Sequence, residues 1–229
     1  MKKFILSIFL AFCVSGLLNK AMSQDSLKYL ALGDSYTIGE AVDPAMRWPV
    51  LLQKQLNELG FSFETPKIIA TTGWTTDELI KAIKEEDMAD ATYDLVSLLI
   101  GVNNQYRGYP IEQYKKEFKQ LLEQAIQFAD GNPTHVFVVS IPDYGITQFA
   151  KDNDKDADKI EKELIEYDRI AASIAASYGV NFYNIRPISL KALYDHDTYI
   201  AKDGLHPSAS MYQEWVDYFS PAVLHQLKK

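Results

Sequence analysis

Cysteine is nearly absent from this sequence: its 229 residues contain one, Cys13. A disulfide needs two cysteines, and structural zinc sites mostly use several. The folded part of the chain is therefore expected to be held by its hydrophobic core rather than by covalent or metal cross-links. A cysteine-rich scaffold is excluded on the same ground.

The sequence also lacks a basic excess. It has 23 Lys and Arg against 31 Asp and Glu, a net charge of −8. Non-specific binding of nucleic acid needs clusters of Lys and Arg, and the sequence has none, so nucleic acid is excluded as a partner. Internal repeats and long Ser/Gly/Pro tracts are missing too, which excludes a solenoid, a collagen and a pair of tethered domains.

A single long apolar run is present, near the N-terminus. Lys2 precedes the run at residues 4–18, and the small residues Ala21 and Ser23 follow at the −3 and −1 positions of a cleavage site. This pattern is typical of a secretory signal peptide, so we predict that residues 1–23 are removed.

Cleavage would leave residues 24–229 as a single domain, exported to the periplasm or secreted. The apolar run is shorter than the ~20 residues of a membrane span, so an uncleaved anchor is the less favoured alternative and no stable membrane insertion is expected. Lipidation of Cys13 is disfavoured because the bulky Phe12 precedes it.

The hydrophobic pattern alternates between short strands and amphipathic helices. Predicted strands cover residues 28–33, 67–70, 93–100, 135–141 and 180–185, and predicted helices cover 47–60, 111–128, 156–178 and 208–227, with one more opening at a capping box at 75–78. Alternating strands and helices form a parallel sheet covered on both faces. We therefore predict an α/β fold: a three-layer α/β/α sandwich with a flavodoxin-like parallel sheet of five strands in the order 2-1-3-4-5.

Four polar segments lie where such a sheet places its active site, at the carboxyl ends of the strands and before the last helix. They are residues 33–37 (Gly-Asp-Ser-Tyr-Thr), 72–74 (Thr-Gly-Trp), 101–104 (Gly-Val-Asn-Asn) and 203–207 (Asp-Gly-Leu-His-Pro). Each alone is typical of a turn, a cap or a loop. Their occurrence in this order on one rim favours a catalytic interpretation.

Ser35 is the candidate nucleophile, on a sharp turn after the first strand that Gly33 permits. A serine hydroxyl needs a base, and His206 is the candidate. Asp203 lies three residues earlier, close enough to orient the imidazole and stabilise its charged form. The backbone N–H groups of Ser35 and Gly73 and the side-chain amide of Asn103 are candidate donors to an oxyanion.

These four segments resemble those of the SGNH hydrolases, also called the GDSL esterase/lipase family, from Gly33 to His206. The resemblance implies Ser35 as nucleophile, Gly73 and Asn103 as oxyanion donors, and His206 with Asp203 as the rest of a triad. It implies an acyl-enzyme route for ester hydrolysis, with no cofactor.

Two positions depart from the family pattern. Asn104 stands where the third segment usually has Asp, and Tyr36 replaces the Leu of the name motif. The first change bears on the hydrogen bonds that support Asn103, and the second on packing. Other hydrolase and nucleotide motifs are missing: Gly-x-Ser-x-Gly, Gly-x-Gly-x-x-Gly, Gly-Lys-Ser/Thr and His-Glu-x-x-His.

One acidic segment has the spacing of a calcium loop, Asp152 to Asp158 with Glu163. The position that needs Gly is Ala157, so the favoured interpretation is an acidic helix start and no metal site. The tripeptide Asp195-His196-Asp197 could suggest a metal site, but it is interpreted as a polar loop.

The substrate is predicted less sharply than the reaction. Aromatic residues near the rim could stack on sugar rings or hold an acyl chain; they are Trp48, Trp74, Tyr106, Tyr109, Tyr144 and Phe149, with Trp74, Tyr106 and Tyr144 as the candidate substrate contacts. We expect a small-molecule partner, a carbohydrate ester or another small-acyl ester. The alternatives are a lysophospholipase or lipase-type acylhydrolase, an acyltransferase, and a non-catalytic carbohydrate-binding protein. The sequence leaves the oligomeric state open.

Overall fold

The structure is a computed structural model that describes residues 26–86, 88 and 91–228. The predicted signal peptide, its cleavage site and Cys13 lie outside the described residues. The domain boundary predicted at residue 24 therefore stays a prediction.

A five-stranded parallel sheet forms the centre of the fold. Its strands are β1 (Tyr29–Gly33), β2 (Lys67–Ala70), β3 (Leu95–Leu99), β4 (Val136–Val139) and β5 (Asn181–Tyr183). Their order is β2-β1-β3-β4-β5 and every pairing is parallel, which confirms the predicted topology. The last three strands are shorter than predicted, because flanking apolar residues such as Ile100 and Ile141 are buried without joining the ladder.

The register of the central strands brings three loops to one level. Gly33, the last residue of β1, pairs with Ala70 of β2 and with Leu99 of β3. All three strands therefore end side by side, and the segments that follow them leave the sheet at the same edge. This edge carries the pocket described below.

Ten helices surround the sheet in the described part of the chain. They are α1 (Ser35–Ile38), α2 (Trp48–Glu58), α3 (Thr76–Glu85), α4 (Val102–Tyr106), α5 (Ile111–Phe128), α6 (Gln148–Asp152), α7 (Ala157–Ser177), α8 (Arg186–Ser189), α9 (His196–Tyr199) and α10 (Ala209–Leu227). The five long ones were predicted, α5 with the observed bounds. The capping box before α3 is also confirmed, since Thr75 N–H donates to Glu78 at 2.9 Å.

The helices form two groups around the sheet: α2 packs against α10, while α5 packs against both α3 and α7. This gives the predicted three layers. None of the helices in the described ranges has the length and apolar character needed to cross a membrane.

Trp48 belongs to the core, so its predicted position on the active rim is wrong. Its side chain has no exposed surface, and its ring packs edge-on against Phe137 and Phe219 with centroids 6.2 and 5.8 Å away. The sequence placed it near a loop, but as the first residue of α2 it faces the sheet, where a large aromatic buries the most surface.

We predict that Gly101→Ala destabilises the fold by roughly 2–5 kcal/mol, through backbone strain and overpacking together. Gly101 has φ +132°, and an added Cβ would lie 2.6 Å from Tyr114 Cε2 and 3.2 Å from Ile141 Cδ1. Gly131→Ala is the matched control, because Gly131 has φ +76° and no atom within 4 Å of the added Cβ. The control should lose only about 1–2 kcal/mol. Urea unfolding measures both, and equal losses would contradict the packing argument.

Candidate active site

Ser35 stands at the turn that follows β1. Asp34 caps α1 by accepting the Tyr36 N–H at 3.0 Å, and Ser35 is the first residue of that single helical turn. The turn needs Gly33 for a steric reason: an added Cβ would lie 2.5 Å from the carbonyl oxygen of Leu99 on the neighbouring strand. The Ser35 residue is 5% exposed, at the surface of a pocket.

His206 and Asp203 form a close pair on the loop before α10. Asp203 Oδ2 lies 2.5 Å from His206 Nδ1, and Asp203 Oδ1 accepts the backbone N–H groups of Leu205 and His206, each at 3.0 Å. Burial opposes ionisation here, but the hydrogen bonds from His206 and Leu205 outweigh it and lower the pKa of Asp203. An ionised carboxylate at Nδ1 favours the tautomer that leaves Nε2 free to accept a proton.

A cavity of about 170 Å³ brings the predicted residues of all four segments together. Ser35, Gly73, Asn103 and His206 all line it. The described residues show no hydrogen bond between the serine hydroxyl and the imidazole, and in unliganded sites this contact is often long. Tyr36 packs edge-on against the His206 ring, with centroids 5.7 Å apart, which agrees with the packing role expected at that position.

The two adjacent asparagines of α4 have different surroundings. Asn103 lines the cavity and donates one amide hydrogen to the carbonyl of Trp74 at 2.9 Å, which leaves its second hydrogen for a ligand. Asn104 is fully buried: its Oδ1 accepts the Thr76 N–H at 3.0 Å and its Nδ2 donates to Thr76 Oγ1 at 2.7 Å. Asn104 therefore supports the loop around Gly73 from behind.

An aromatic wall, made of Tyr106, Tyr144 and Phe149, closes one side of the cavity. The Tyr106 ring lies 6.0 Å from that of Tyr144 and 6.2 Å from that of Phe149. The sequence analysis did not single out Gln105. Its Oε1 accepts the Tyr144 hydroxyl at 2.9 Å and so holds one ring of the aromatic wall in place.

The other two aromatic candidates do not line the cavity. Trp74 lines a separate depression beside Ile69 and Glu85, and Tyr109 lines another beside Glu163. Trp74 has a structural contact through its backbone carbonyl, which receives the Asn103 amide, and the substrate contact predicted for its side chain stays a prediction.

A buried ion pair stands behind the aromatic wall. Arg186 Nη2 lies 2.6 Å from Asp143 Oδ2, with both side chains at least nine-tenths buried, and Asp143 Oδ1 accepts the Gly145 N–H at 2.8 Å. The pair thus braces the turn that carries Tyr144. Sequence reasoning missed it because Asp143 and Arg186 are far apart in the chain, with no motif to link them.

The acidic segment has the helical role that the sequence favoured. Asp152 ends α6, and Asp156 caps α7 by accepting the Lys159 N–H at 3.0 Å. Within residues 26–86, 88 and 91–228, no three His, Cys, Asp or Glu side chains come together as a metal site. The absence of a cofactor stays a prediction.

Burial changes the pKa of two aspartates, Asp34 beside Ser35 and Asp168 on α7. Burial raises the pKa of Asp34 to about 7, although Tyr36 donates to one of its oxygens. Burial also raises the pKa of Asp168 to about 7, with the Ile141 N–H and Arg186 lowering it only in part. Asp168 Oδ1 accepts that N–H at 2.9 Å, just beyond the end of β4.

We predict that these aspartates make the fold less stable as pH rises. The folded-state pKa of Asp168 lies above the ordinary aspartate value of 3.8, so between these two pH values the native state holds a proton that the unfolded chain has lost. Its contribution is complete below about pH 4 and disappears as pH rises through about 7, with a slope of at most about 1.4 kcal/mol per pH unit. Asp168→Asn keeps the acceptor oxygen, cannot titrate, and should flatten the dependence of the unfolding free energy on pH.

Urea unfolding at several pH values between 4 and 8 measures this effect. Asp197→Asn is the matched control, because the Asp197 side chain is fully exposed, and its pH dependence should follow that of the unmodified protein. An unchanged slope in Asp168→Asn would contradict the assignment.

Comparison with known proteins supports the resemblance drawn from the four segments. The model of the GDSL-like lipase/acylhydrolase family matches residues 31–214. An arylesterase from Vibrio mimicus is 27% identical over 220 residues, covering 94% of each chain. Among solved structures, TesA is similar with a TM-score of 0.67 and 17% identity, covering 87% of this chain and 99% of its own. The acetyl xylan esterase AlAXEase is similar with a TM-score of 0.66 and 18% identity, covering 86% of this chain and 100% of its own. With its fold and the extent of the family match taken together, this chain belongs to the GDSL-like lipase/acylhydrolase family, the SGNH hydrolases, and is an ester-hydrolysing enzyme.

Proposed function

We propose that this enzyme cleaves small-acyl carboxylic esters through an acyl-enzyme formed on Ser35. The observation that carries the proposal is the Asp203–His206 pair, whose imidazole shares one small cavity with the Ser35 hydroxyl and the Asn103 amide. Nucleophile, base and oxyanion donors are thereby all available at one place, as the chemistry requires.

The reaction follows from these positions. His206 Nε2 takes the hydroxyl proton as Ser35 Oγ bonds to the ester carbonyl carbon, and the N–H groups of Ser35 and Gly73 with Asn103 Nδ2 receive the oxyanion. Asp203 stabilises the imidazolium. The imidazolium then returns its proton to the leaving alcohol as the ester C–O bond breaks. Water, deprotonated by the same imidazole, attacks the acyl-enzyme, releases the acid and restores Ser35.

The cavity favours a small acyl group. Its volume of about 170 Å³ is below the ~300–1,000 Å³ of sites for drug-sized ligands. Tyr106, Tyr144 and Phe149 make its wall largely aromatic, which suits an acyl group, an aryl alcohol or the face of a sugar ring. The arylesterase relative favours the aryl ester, and a carbohydrate ester is the second candidate for the alcohol part.

A single panel separates these substrates from the other candidate functions. p-Nitrophenyl esters of increasing chain length, acetylated oligosaccharides and lysophospholipid are assayed together. A preference for short acyl chains supports the proposal, and a preference for lysophospholipid supports the lipase-type alternative. Transfer of the acyl group to an added sugar in place of hydrolysis supports an acyltransferase, and no turnover of any ester supports a binding protein.

Export is part of the proposal and has its own test. The charged start, apolar run and small residues at positions 21 and 23 favour cleavage after Ser23. Fractionation of cells that produce the full chain, followed by N-terminal sequencing, should find the enzyme outside the cytoplasm, beginning at Gln24. An intact N-terminus in the cytoplasm would contradict it.

We predict that Ser35→Ala lowers ester hydrolysis by several orders of magnitude, because the acyl-enzyme cannot form. A fluorophosphonate should label the unmodified protein at Ser35 and leave the variant unlabelled. Ser173→Ala, an exposed serine on α7, serves as the control and should retain activity and labelling. Labelling at another residue, or full activity in Ser35→Ala, would overturn the proposed mechanism.

We predict that Asn103→Ala and Asn104→Ala fail in different ways. Loss of the Asn103 donor should lower kcat by roughly 10²–10³ with little change in KM, since the oxyanion exists only in the transition state. Loss of Asn104 should cost less in kcat but about 1–3 kcal/mol in unfolding free energy, because it strips the buried Thr76 N–H of its acceptor. Kinetics on one activated ester and urea unfolding decide, and a larger kcat loss in Asn104→Ala would reverse the assignment.

A further inference from the structure

The segment around Gly73 depends on α4 for its conformation. Gly73 lies three residues beyond β2 and has φ +89°. Glycine adopts positive and negative φ about equally readily, so its own sterics do not hold it in this conformation. Within the segment itself, Trp74 N–H donates to the Thr71 carbonyl at 3.2 Å. The remaining contacts that define its path come from side chains of neighbouring elements.

Side chains on and just after α4 hold this segment at three residues, Gly73, Trp74 and Thr76. Asn103 donates to the Trp74 carbonyl at 2.9 Å, and Asn104 bonds Thr76 through both amide atoms. A third contact from this side comes from Arg107, which follows the helix and lies one turn beyond Asn103. On the other side, the Thr72 hydroxyl donates to Glu40. Because residues four apart share a helical face, Asn103 and Arg107 approach the segment from the same side.

Arg107 binds the backbone of Gly73, the residue whose N–H is proposed to donate to the oxyanion. Its Nη2 donates to the Gly73 carbonyl at 2.5 Å, while its Nη1 lies 3.3 Å from Glu78 Oε1. The other oxygen of Glu78 accepts the Thr75 N–H at 2.9 Å in the capping box of α3. The guanidinium is thereby fixed at both ends, and its planar fork offers a set direction at each.

The ion pair itself is a poor explanation for this arrangement. The Arg107 and Glu78 side chains are 38% and 39% exposed, and a pair so exposed contributes little to stability. A charged donor on a backbone carbonyl, by contrast, fixes the peptide plane that follows Gly73. Because pairing in β2 holds the chain on the other side, at Ala70, the plane that carries the Gly73 N–H has less freedom to turn. An oxyanion hole works only if its donors are oriented before the charge develops.

The geometry assigns Arg107 the role of a positioning residue that holds the Gly73 N–H toward the oxyanion. This assignment rests on the function proposed above. Arg107 touches no reacting atom; its effect passes through the Gly73 carbonyl. It should therefore matter in the transition state and very little in the binding of the ester.

The test compares Arg107→Ala, Arg107→Lys and a matched control, Arg169→Ala. Arg169 lies on α7, remains two-thirds exposed and also pairs with a carboxylate, Glu166 at 2.6 Å, so its removal reproduces the loss of a surface ion pair alone. We expect Arg107→Ala to lower kcat by roughly 10- to 100-fold, less than the 10²–10³ for losing a whole donor, with KM within about twofold. Arg107→Lys should fall between, because an ammonium lacks the fork. Arg169→Ala should be unchanged.

Two further measurements distinguish positioning from general loosening. The affinity of Arg107→Ala for a boronic acid, which forms a tetrahedral adduct on serine, should fall by the same factor as kcat. Guanidinium chloride at millimolar concentration should restore part of kcat in Arg107→Ala and none in Arg107→Lys. If Arg107→Ala does not fold, the kcat and boronic-acid measurements on Arg107→Lys carry the test.

Several results would overturn the assignment. They are an unchanged kcat, a loss confined to KM, and a kcat loss without a matching loss of boronic-acid affinity. Fluorophosphonate labelling keeps this separate from the proposed function: if the unmodified protein is not labelled at Ser35, the nucleophile itself is wrong. If Ser35 is labelled in every variant and kcat does not respond to Arg107, only the positioning role fails.

Discussion

Three strands of the sheet end level with one another, because Gly33 of β1 pairs with Ala70 on one side and Leu99 on the other. A shift of one residue in either pairing would move a following loop by about 3.3 Å and turn the strand's side chains to the opposite face. Hydrogen bonds to a reacting atom tolerate far less than that. The approach of Ser35 and Asn103 to one cavity is thus a consequence of backbone pairing in the core, settled before any polar side chain is considered.

Side-chain hydrogen bonds position the loops more closely than the strand register alone can do. Short polar contacts hold each loop at the edge: Asp203 orients His206, and Asn104 holds the segment that contains Gly73. The aromatic wall is supported separately. Gln105 accepts the Tyr144 hydroxyl, and the buried Arg186–Asp143 ion pair lies behind the wall. Residues that line the cavity and residues that support them therefore alternate along the same short stretches of chain.

The fold was largely predictable because long helices and buried strands carry periodic patterns. The helix Ile111–Phe128 was predicted with its observed bounds, and the strand order followed from the alternation of elements. Helices of four or five residues, such as Val102–Tyr106, were missed because they are too short to show a helical period. Trp48 was misplaced because proximity to a loop in sequence says nothing about which side of a helix faces the sheet.

Residues of the candidate site divide in the same way. Ser35, Asp203 and His206 could be found from local spacing, and the first of these stands on a turn whose neighbours are close in sequence. Gln105 and Arg107 could not be found in this way. Their contacts are with Tyr144 and Gly73, which follow other strands and are distant in sequence. In the sequence, Arg107 is only a polar residue one helical turn after Asn103 and Asn104, and its contact with Gly73 is visible only in the folded chain.

The separation of Ser35 and His206 along the chain has a consequence for synthesis. The turn that carries Ser35, the proposed nucleophile, emerges from the ribosome early, whereas the proposed base and its aspartate come immediately before α10, the helix that packs on α2 near the start of the fold. A nascent chain therefore carries its serine through most of translation without a base beside it. Under the proposed mechanism, the chain can hydrolyse an ester only after the segment before its last helix has joined Ser35 at the cavity, so activity would report a completed domain.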